Sequence, residues 1–199
     1  MTSTPAETIP LLDKLVSFDT TSRNSNLPII EFIEAYLAEH GVESQRVPDE
    51  TGQWSSLFAT IGPKGTPGVA LSGHTDVVPV DGQGWDTDPF TLTRKGDRLY
   101  GRGSCDMKGF LACCLAHVPT FQAADLAVPM HLAFSYDEEI GCTGVRPMIA
   151  ELGDRLVKPR LVIVGEPSTM TVVDAHKGPV RWGTTITGRA AHSSLAPLG

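Results

Sequence analysis

Apolar residues recur at helical spacing twice near the start of the chain. Ile9, Leu12, Leu15 and Val16 follow Thr4-Pro5, a pair suited to a helix start. Leu27 to His40 places Ile29, Phe32, Ile33, Tyr36 and Leu37 on one side, and Gly41 stops it. The pattern then shortens. Val42 to Val47 and Ser55 to Ile61 read as strands about a turn at Pro48 to Trp54, and Val69 to Gly73 reads as a third strand after the glycine- and proline-rich loop that begins at Gly62.

Farther along, Val80 to Pro89 has loop composition, and Thr91-Leu-Thr93 with Arg98-Leu-Tyr100 flank a turn, predicting a β-hairpin. Met107, Phe110, Leu111, Cys114, Leu115, Val118 and Phe121 keep the 3.6-residue period and predict one amphipathic helix. Met130 to Tyr136 is a strand. A short helix carries Val145, Met148, Ile149 and Leu152, with Pro147 in its first turn. Leu161 to Val164 is apolar throughout and is expected in the centre of the sheet, with Thr171 to Ala175 as a further strand.

Strands alternating with amphipathic helices predict an α/β three-layer sandwich with a mostly parallel central sheet. After Lys177 the texture changes to a β-branched strand pattern, Val180 to Thr187. A boundary is expected there: residues 1–177 as one domain and residues 178–199 as the beginning of a second. About 20 residues are too few to bury a core alone, so the chain reads as truncated at its C-terminal end.

Composition narrows the function. The chain has 199 residues, 41% of them hydrophobic, and a formal charge of −7. It carries no basic run, which argues against nucleic acid and anionic membranes as partners. The four cysteines, Cys105, Cys113, Cys114 and Cys142, form no CxxC pair or zinc-finger spacing. With a polar Met1 to Pro10 segment unlike a signal peptide, they suit a reducing, cytoplasmic setting.

The chemistry-bearing residues follow predicted strands or precede a helix. His74 and Asp76 stand two apart after the third strand, so on extended backbone both face the same way. They fit either a metal ligand with its orienting carboxylate or a core histidine satisfied by a turn aspartate. Asp106 precedes the long helix and could be its N-cap. Glu138-Glu139 follows the strand ending at Tyr136 and could be solvated loop charge. Glu166, before Pro167, could be a loop acid. Ligand sites of open α/β sheets gather at the carboxyl ends of strands, and so many acids at one edge would repel without cations between them. The glutamate pair offers two roles, because neighbouring side chains on extended backbone point apart: one binds metal and the other serves as general base. No His-Glu-x-x-His, Gly-x-Ser-x-Gly or P-loop pattern is present.

Four segments, Ser72-Gly-His-Thr-Asp-Val-Val-Pro79, Tyr100-Gly-Arg-Gly-Ser-Cys-Asp-Met-Lys-Gly109, Asp137-Glu-Glu-Ile-Gly141 and Gly165-Glu-Pro-Ser168, resemble the dinuclear-zinc amidohydrolase and exopeptidase family. The family includes acetylornithine deacetylases, succinyl-diaminopimelate desuccinylases, aminoacylases and carboxypeptidases. Asp81 to Phe90 and Ala175-His-Lys-Gly178 are most similar to its acetylornithine deacetylase branch. The resemblance implies two divalent ions, zinc or cobalt, and hydrolysis of an N-acyl amino acid, N-acetylornithine to ornithine and acetate, by an activated water. It implies that His74, Asp106 and Glu166 hold one ion, that Asp106 bridges to a second held by Glu139, that Asp76 orients His74, and that Glu138 is the general base. It further implies a cis peptide at Asp106-Met107, a lid domain through which a homodimer forms, and a role for His192 in holding the tetrahedral oxyanion. The family's second ion also takes a histidine from a segment after the lid, which this chain lacks. The alternative expectations are a desuccinylase, aminoacylase or carboxypeptidase of the same family, and a non-catalytic truncated homologue that only binds metal.

Overall fold

The computed structural model describes residues 6–175, 177, 178, 180, 182–192 and 194. The expected helix start at Thr4-Pro5, and His176, lie outside the described residues. The chain divides into two compact units, the first ending at Pro167 and the second beginning at Ser168.

The first unit begins with helices α1 (Thr8–Val16) and α2 (Leu27–Glu39), followed by strands β1 (Ser44–Pro48), β2 (Ser55–Ile61) and β3 (Val69–His74). A hairpin of β4 (Thr93–Lys95) and β5 (Arg98–Tyr100) leads into helices α3 (Lys108–Ala116) and α4 (Val118–Ala123). Strand β6 (Met130–Ser135), helix α5 (Val145–Ala150) and strand β7 (Leu161–Val164) complete it. The main sheet runs β1-β2-β6-β3-β7. β1–β2 and β2–β6 pair antiparallel, whereas β3 pairs parallel with both β6 and β7. The sheet is thus mixed, and its parallel half is where the motifs cluster.

Alternation along the strands separates two apolar layers. Leu57, Ala59 and Ile61 of β2 and Leu132 and Phe134 of β6 pack with α1 to α4, including Leu15, Ile33, Leu111 and Leu115. Phe58 and Ala133, on the other face, pack with Val47, Met148 of α5 and Leu156. Helices on both faces give the expected three layers.

Besides a hairpin whose first strand is Thr93–Lys95 and not Thr91 to Thr93, three local expectations differ from the structure. The single helix through Phe121 is broken at His117, because Pro119 sits in the first turn of α4. Proline lacks the N–H and its ring collides with the carbonyl four residues back. That carbonyl, Leu115 O, accepts a hydrogen bond from Tyr36 Oη at 3.1 Å. Second, β7 is the edge strand, not a central one, and its four residues are 47–59% exposed. An apolar run shows that a strand has two apolar faces; it does not encode the strand's place in the sheet order. Third, Thr171 to Ala175 and the described residues between Val180 and Thr187 carry no strand, since a strand is defined by a ladder partner as much as by its β-branched residues.

The described residues of the second unit are largely exposed, including Val172, Trp182 and Ile186. A turn at its start is closed by Ser168 Oγ donating to Thr171 O at 2.7 Å. No helix among the described residues is long and apolar enough to cross a membrane.

Candidate metal centre

The register of the parallel strands brings the motifs together. His74 pairs with Ser135 of β6, and Ser72 pairs with Val164 of β7. Gly165 N continues that ladder to Ser72 O at 3.1 Å. Two more residues on each strand carry Glu166 to the level of His74. All three strands end at the same edge, where sites of such sheets form.

Gly165 permits this approach. A Cβ there would fall inside the van der Waals envelope of the Phe110 ring, at its Cγ, Cδ1 and Cδ2 atoms. Gly165→Ala is therefore expected to cost about 1–3 kcal/mol, as overpacking does, and to move Glu166 away from His74. Chemical denaturation would show the loss, and metal titration would show weaker binding. An alanine variant equal to wild type in both would remove the steric account.

His74 is 1% exposed and central. Its Nδ1 lies 2.9 Å from the backbone oxygen of Asp76 and 3.3 Å from Asp76 Oδ1. With Nδ1–H donating there, Nε2 is left to face a ligand. Nε2 lies 3.2 Å from Asp106 Oδ1, 3.6 Å from Glu166 Oε1 and 3.8 Å from Glu138 Oε2. Among the described residues, two triads could each hold a metal ion: His74, Asp106 and Glu139, and His74, Glu138 and Glu166. One imidazole nitrogen ligates one ion, so the triads overlap at His74, and any second ion is left to the carboxylates.

Asp106 does not cap α3. The residue before that helix is Met107, no side chain caps it, and the Asp106-Met107 peptide is cis. Its carboxylate is left facing His74. Glu138 and Glu139 do not stand on extended backbone either; Asp137 has φ 55° and a turn follows. The turn aims both amides at Asp76, with Glu138 N 3.1 Å from Oδ1 and Glu139 N 3.2 Å from Oδ2. The expectation that extended backbone points the two glutamates apart is thus replaced by a turn, and the two carboxylates fall in different triads. His192 belongs to the second unit, is exposed, and has Nδ1 2.9 Å from Ser194 Oγ.

Electrostatics fit a cation. Burial pushes the Glu166 carboxyl up to about 7, and the Asp106 and Glu138 charges add to the rise against the pull of His74. Burial likewise raises Glu139, helped by Asp106 and Glu138. Burial works against a charged His74, but the Asp76 hydrogen bond and charge, with Glu166 and Glu138, outweigh it and raise His74 to about 9. Asp76 is buried too, yet hydrogen bonds from His74, Ser22 and Glu138 N hold it below the usual carboxylate range. One imidazole nitrogen among carboxylates that resist ionising side by side is a donor set that fits a divalent metal ion.

The sequence pattern did not single out the polar residues beneath this cluster. Thr20, Thr21, Ser22 and Asn26 are buried and bonded to the His74–Val77 segment or to its neighbour Ser55. Lys108 is also buried, with Nζ donating to Phe18 O at 2.8 Å. The available signal was a polar run, Asp19 to Asn26, directly before an apolar helix; composition marks such a run as loop and says nothing of its burial.

The chain is similar to known proteins in sequence and in fold. An acetylornithine deacetylase of Proteus mirabilis (strain HI4320) is 38% identical over 178 residues, covering 88% of this chain and 45% of that protein. The chain thus spans about half the length of this curated relative. Among solved structures, human carnosine dipeptidase 1 matches with a TM-score of 0.67 and 26% identity over 79% of this chain and 38% of that one. An M20 family metallo-carboxypeptidase from Sulfolobus solfataricus matches with a TM-score of 0.68 and 25% identity over 80% of this chain and 37% of that one. The model of peptidase family M20/M25/M40 matches residues 70–189, from β3 through every motif gathered around His74, and the chain belongs to that family.

Proposed function

We propose that this chain carries the metal-binding part of a hydrolase that cleaves the amide bond of an N-acyl amino acid, with N-acetylornithine as the first substrate. The observation that carries the proposal is His74 Nε2 within 3.2–3.8 Å of carboxylates from three separate segments, Asp106, Glu138 and Glu166. The name of the 38%-identical relative supports the choice of substrate.

In this reading, which follows the family resemblance and regroups the residues of the two triads, His74, Asp106 and Glu166 would hold one divalent ion, zinc or cobalt, and Asp106 and Glu139 would hold a second. When bound, the ions supply Lewis acidity that lowers the pKa of water and polarises the acyl carbonyl. Asp76 keeps the His74 ring turned with Nε2 outward. Glu138 takes the proton of the attacking water. It returns that proton to the amine nitrogen as the C–N bond breaks, which leaves acetate and the free amino acid. His192 is assigned, from the family resemblance, to steadying the oxyanion. Residues 178–199 are assigned on the same ground to the start of a lid and dimerisation domain, following a catalytic domain of residues 1–177. The four free cysteines fit a cytoplasmic protein.

The shared imidazole favours one second reading, a metal-binding module without turnover, because the two triads draw on a single Nε2. The test is a panel of N-acetyl and N-succinyl amino acids and dipeptides, assayed on the chain loaded with Zn²⁺ or Co²⁺. Release of ornithine from N-acetylornithine at the highest kcat/KM is expected. Preference for a succinyl substrate or a dipeptide would reassign it to a desuccinylase or peptidase, and bound metal without any turnover would favour the module.

A further inference from the structure

The segment from Phe18 to Asn26 lies outside the residues matched by the family model, yet it forms the floor under the metal-site loop. Thr20 Oγ1 donates to Thr75 O at 2.6 Å, and Val77 N donates to Thr20 O at 3.1 Å. Asn26 Nδ2 reaches Thr75 Oγ1 at 3.0 Å and Ser55 O at 2.9 Å. Lys108, two residues past Asp106, ties the start of the segment down through Phe18 O. Buried polar groups are kept where each has a partner, and here the partners are the loop that presents His74 and Asp76.

Ser22 makes the contact with the most consequence. Its hydroxyl donates to Asp76 Oδ2 at 2.8 Å, and both side chains are buried. The Asp76 carboxylate meets four donors. Oδ1 faces His74 Nδ1 at 3.3 Å and accepts from Glu138 N at 3.1 Å; Oδ2 accepts from Ser22 and from Glu139 N at 3.2 Å. A carboxylate has about four lone-pair sites, so this one is fully used. Three of its donors belong to the residues it serves and would move with them. Ser22 is held through its own backbone instead, its N–H donating to Val77 O at 3.3 Å beside a Thr21–Val77 bridge. It therefore supplies a fixed reference for the carboxylate plane.

We propose that Ser22 is a positioning residue of the metal centre. Acting through Asp76, it sets the rotation of the His74 ring and the placement of the Glu138-Glu139 turn together. The significance of that placement rests on the metal-dependent reading above, whereas the contact itself does not.

The test compares wild type, Ser22→Ala and Ser22→Thr by amide hydrogen exchange in the metal-free chain and by Co²⁺ titration followed in the visible spectrum. In Ser22→Ala the Glu138 and Glu139 amides are expected to exchange roughly tenfold faster, the scale of one lost hydrogen bond to a charged group. The amides of the β2–β6 ladder should hold their rates, and Ser22→Thr should return the two glutamate amides towards wild type. Unchanged Glu138 and Glu139 exchange in Ser22→Ala would overturn the proposal. So would equal acceleration across the β2–β6 ladder, which marks general loosening. In the titration, Ser22→Ala is expected to bind Co²⁺ about 10–100-fold more weakly, as when other partners of metal ligands are removed. Unchanged affinity and spectrum would also overturn the proposal. A wild-type chain that binds no Co²⁺ would defeat the metal-dependent reading, and the exchange rates would still decide the role of Ser22.

Discussion

Exchanging Glu138 for glutamine is expected to lower turnover of an N-acyl amino acid by about 10²–10⁴-fold, the usual contribution of a positioned general base, while bound metal stays at the wild-type level. Glutamine keeps the length and shape of the side chain but cannot take up a proton. The backbone of Glu138 is fixed by Asp76 Oδ1 at its N–H and by Gly141 N and Cys142 N at its carbonyl, at 2.9 and 3.0 Å. The substitution should therefore leave the turn in place. Of the three carboxylates measured from His74 Nε2, that of Glu138 lies farthest, at 3.8 Å. Its Oε1 accepts a weak hydrogen bond from Cys142 Sγ at 3.4 Å. That oxygen is loosely held compared with Asp76, as suits a group that exchanges protons during turnover. Initial rates with metal content measured on the same samples check the assignment. Loss of metal along with turnover would make Glu138 a ligand instead of the base.

The larger effect on binding is expected from His74→Ala. Both ligand triads include this residue, so its removal should weaken binding beyond the roughly 10–100-fold lost with a ligand's hydrogen-bond partner. The pH dependence of binding should change with it. In the metal-free chain the imidazolium is held up to about pH 9 by Asp76, Glu166 and Glu138, against burial. A cation must displace the Nε2 proton, so apparent Co²⁺ affinity in the wild type should rise with pH until His74 is neutral near 9. His74→Ala should lose that part of the slope.

Stability of the metal-free chain should run the other way. The folded pKa of His74 lies above its ordinary 6.5, so its pairing contributes fully below about 6.5 and is lost as pH rises through about 9. Glu166 acts in the same sense at lower pH, because its carboxyl is raised from 4.5 to about 7. Calorimetry and Co²⁺ titration across this range check both signs. Metal affinity in His74→Ala equal to wild type would remove the residue from the centre.

The strands and helices were readable to different degrees, for identifiable reasons. α2 was bounded within a residue because Leu27-Pro28 starts it and Gly41 ends it. β2 was bounded at both ends by the turn before it and the glycine after it. The merged α3 and α4 show the limit of periodicity: the apolar stripe continues across His117 while Pro119 breaks the backbone ladder. β7 shows another limit, since Leu161 to Val164 announces a strand and not its neighbours.

The sequence by itself determined which residues could do chemistry: His74, Asp76, Asp106, the Glu138-Glu139 pair and Glu166, each just past a strand or at a helix start. It did so because side-chain type and local spacing are written directly in the chain. Tertiary structure decided which atoms meet. Parallel pairing of β3 with β6 and β7 sets the three strand ends level. A turn at Asp137 directs two consecutive amides onto one carboxylate, and the absence of a Cβ at Gly165 lets Glu166 pass Phe110. Only the fold could reveal that the polar stretch from Thr20 to Asn26 is buried. Burial depends on what the rest of the chain lays over a segment, and Ser22 acquires its meaning 54 residues away at Asp76.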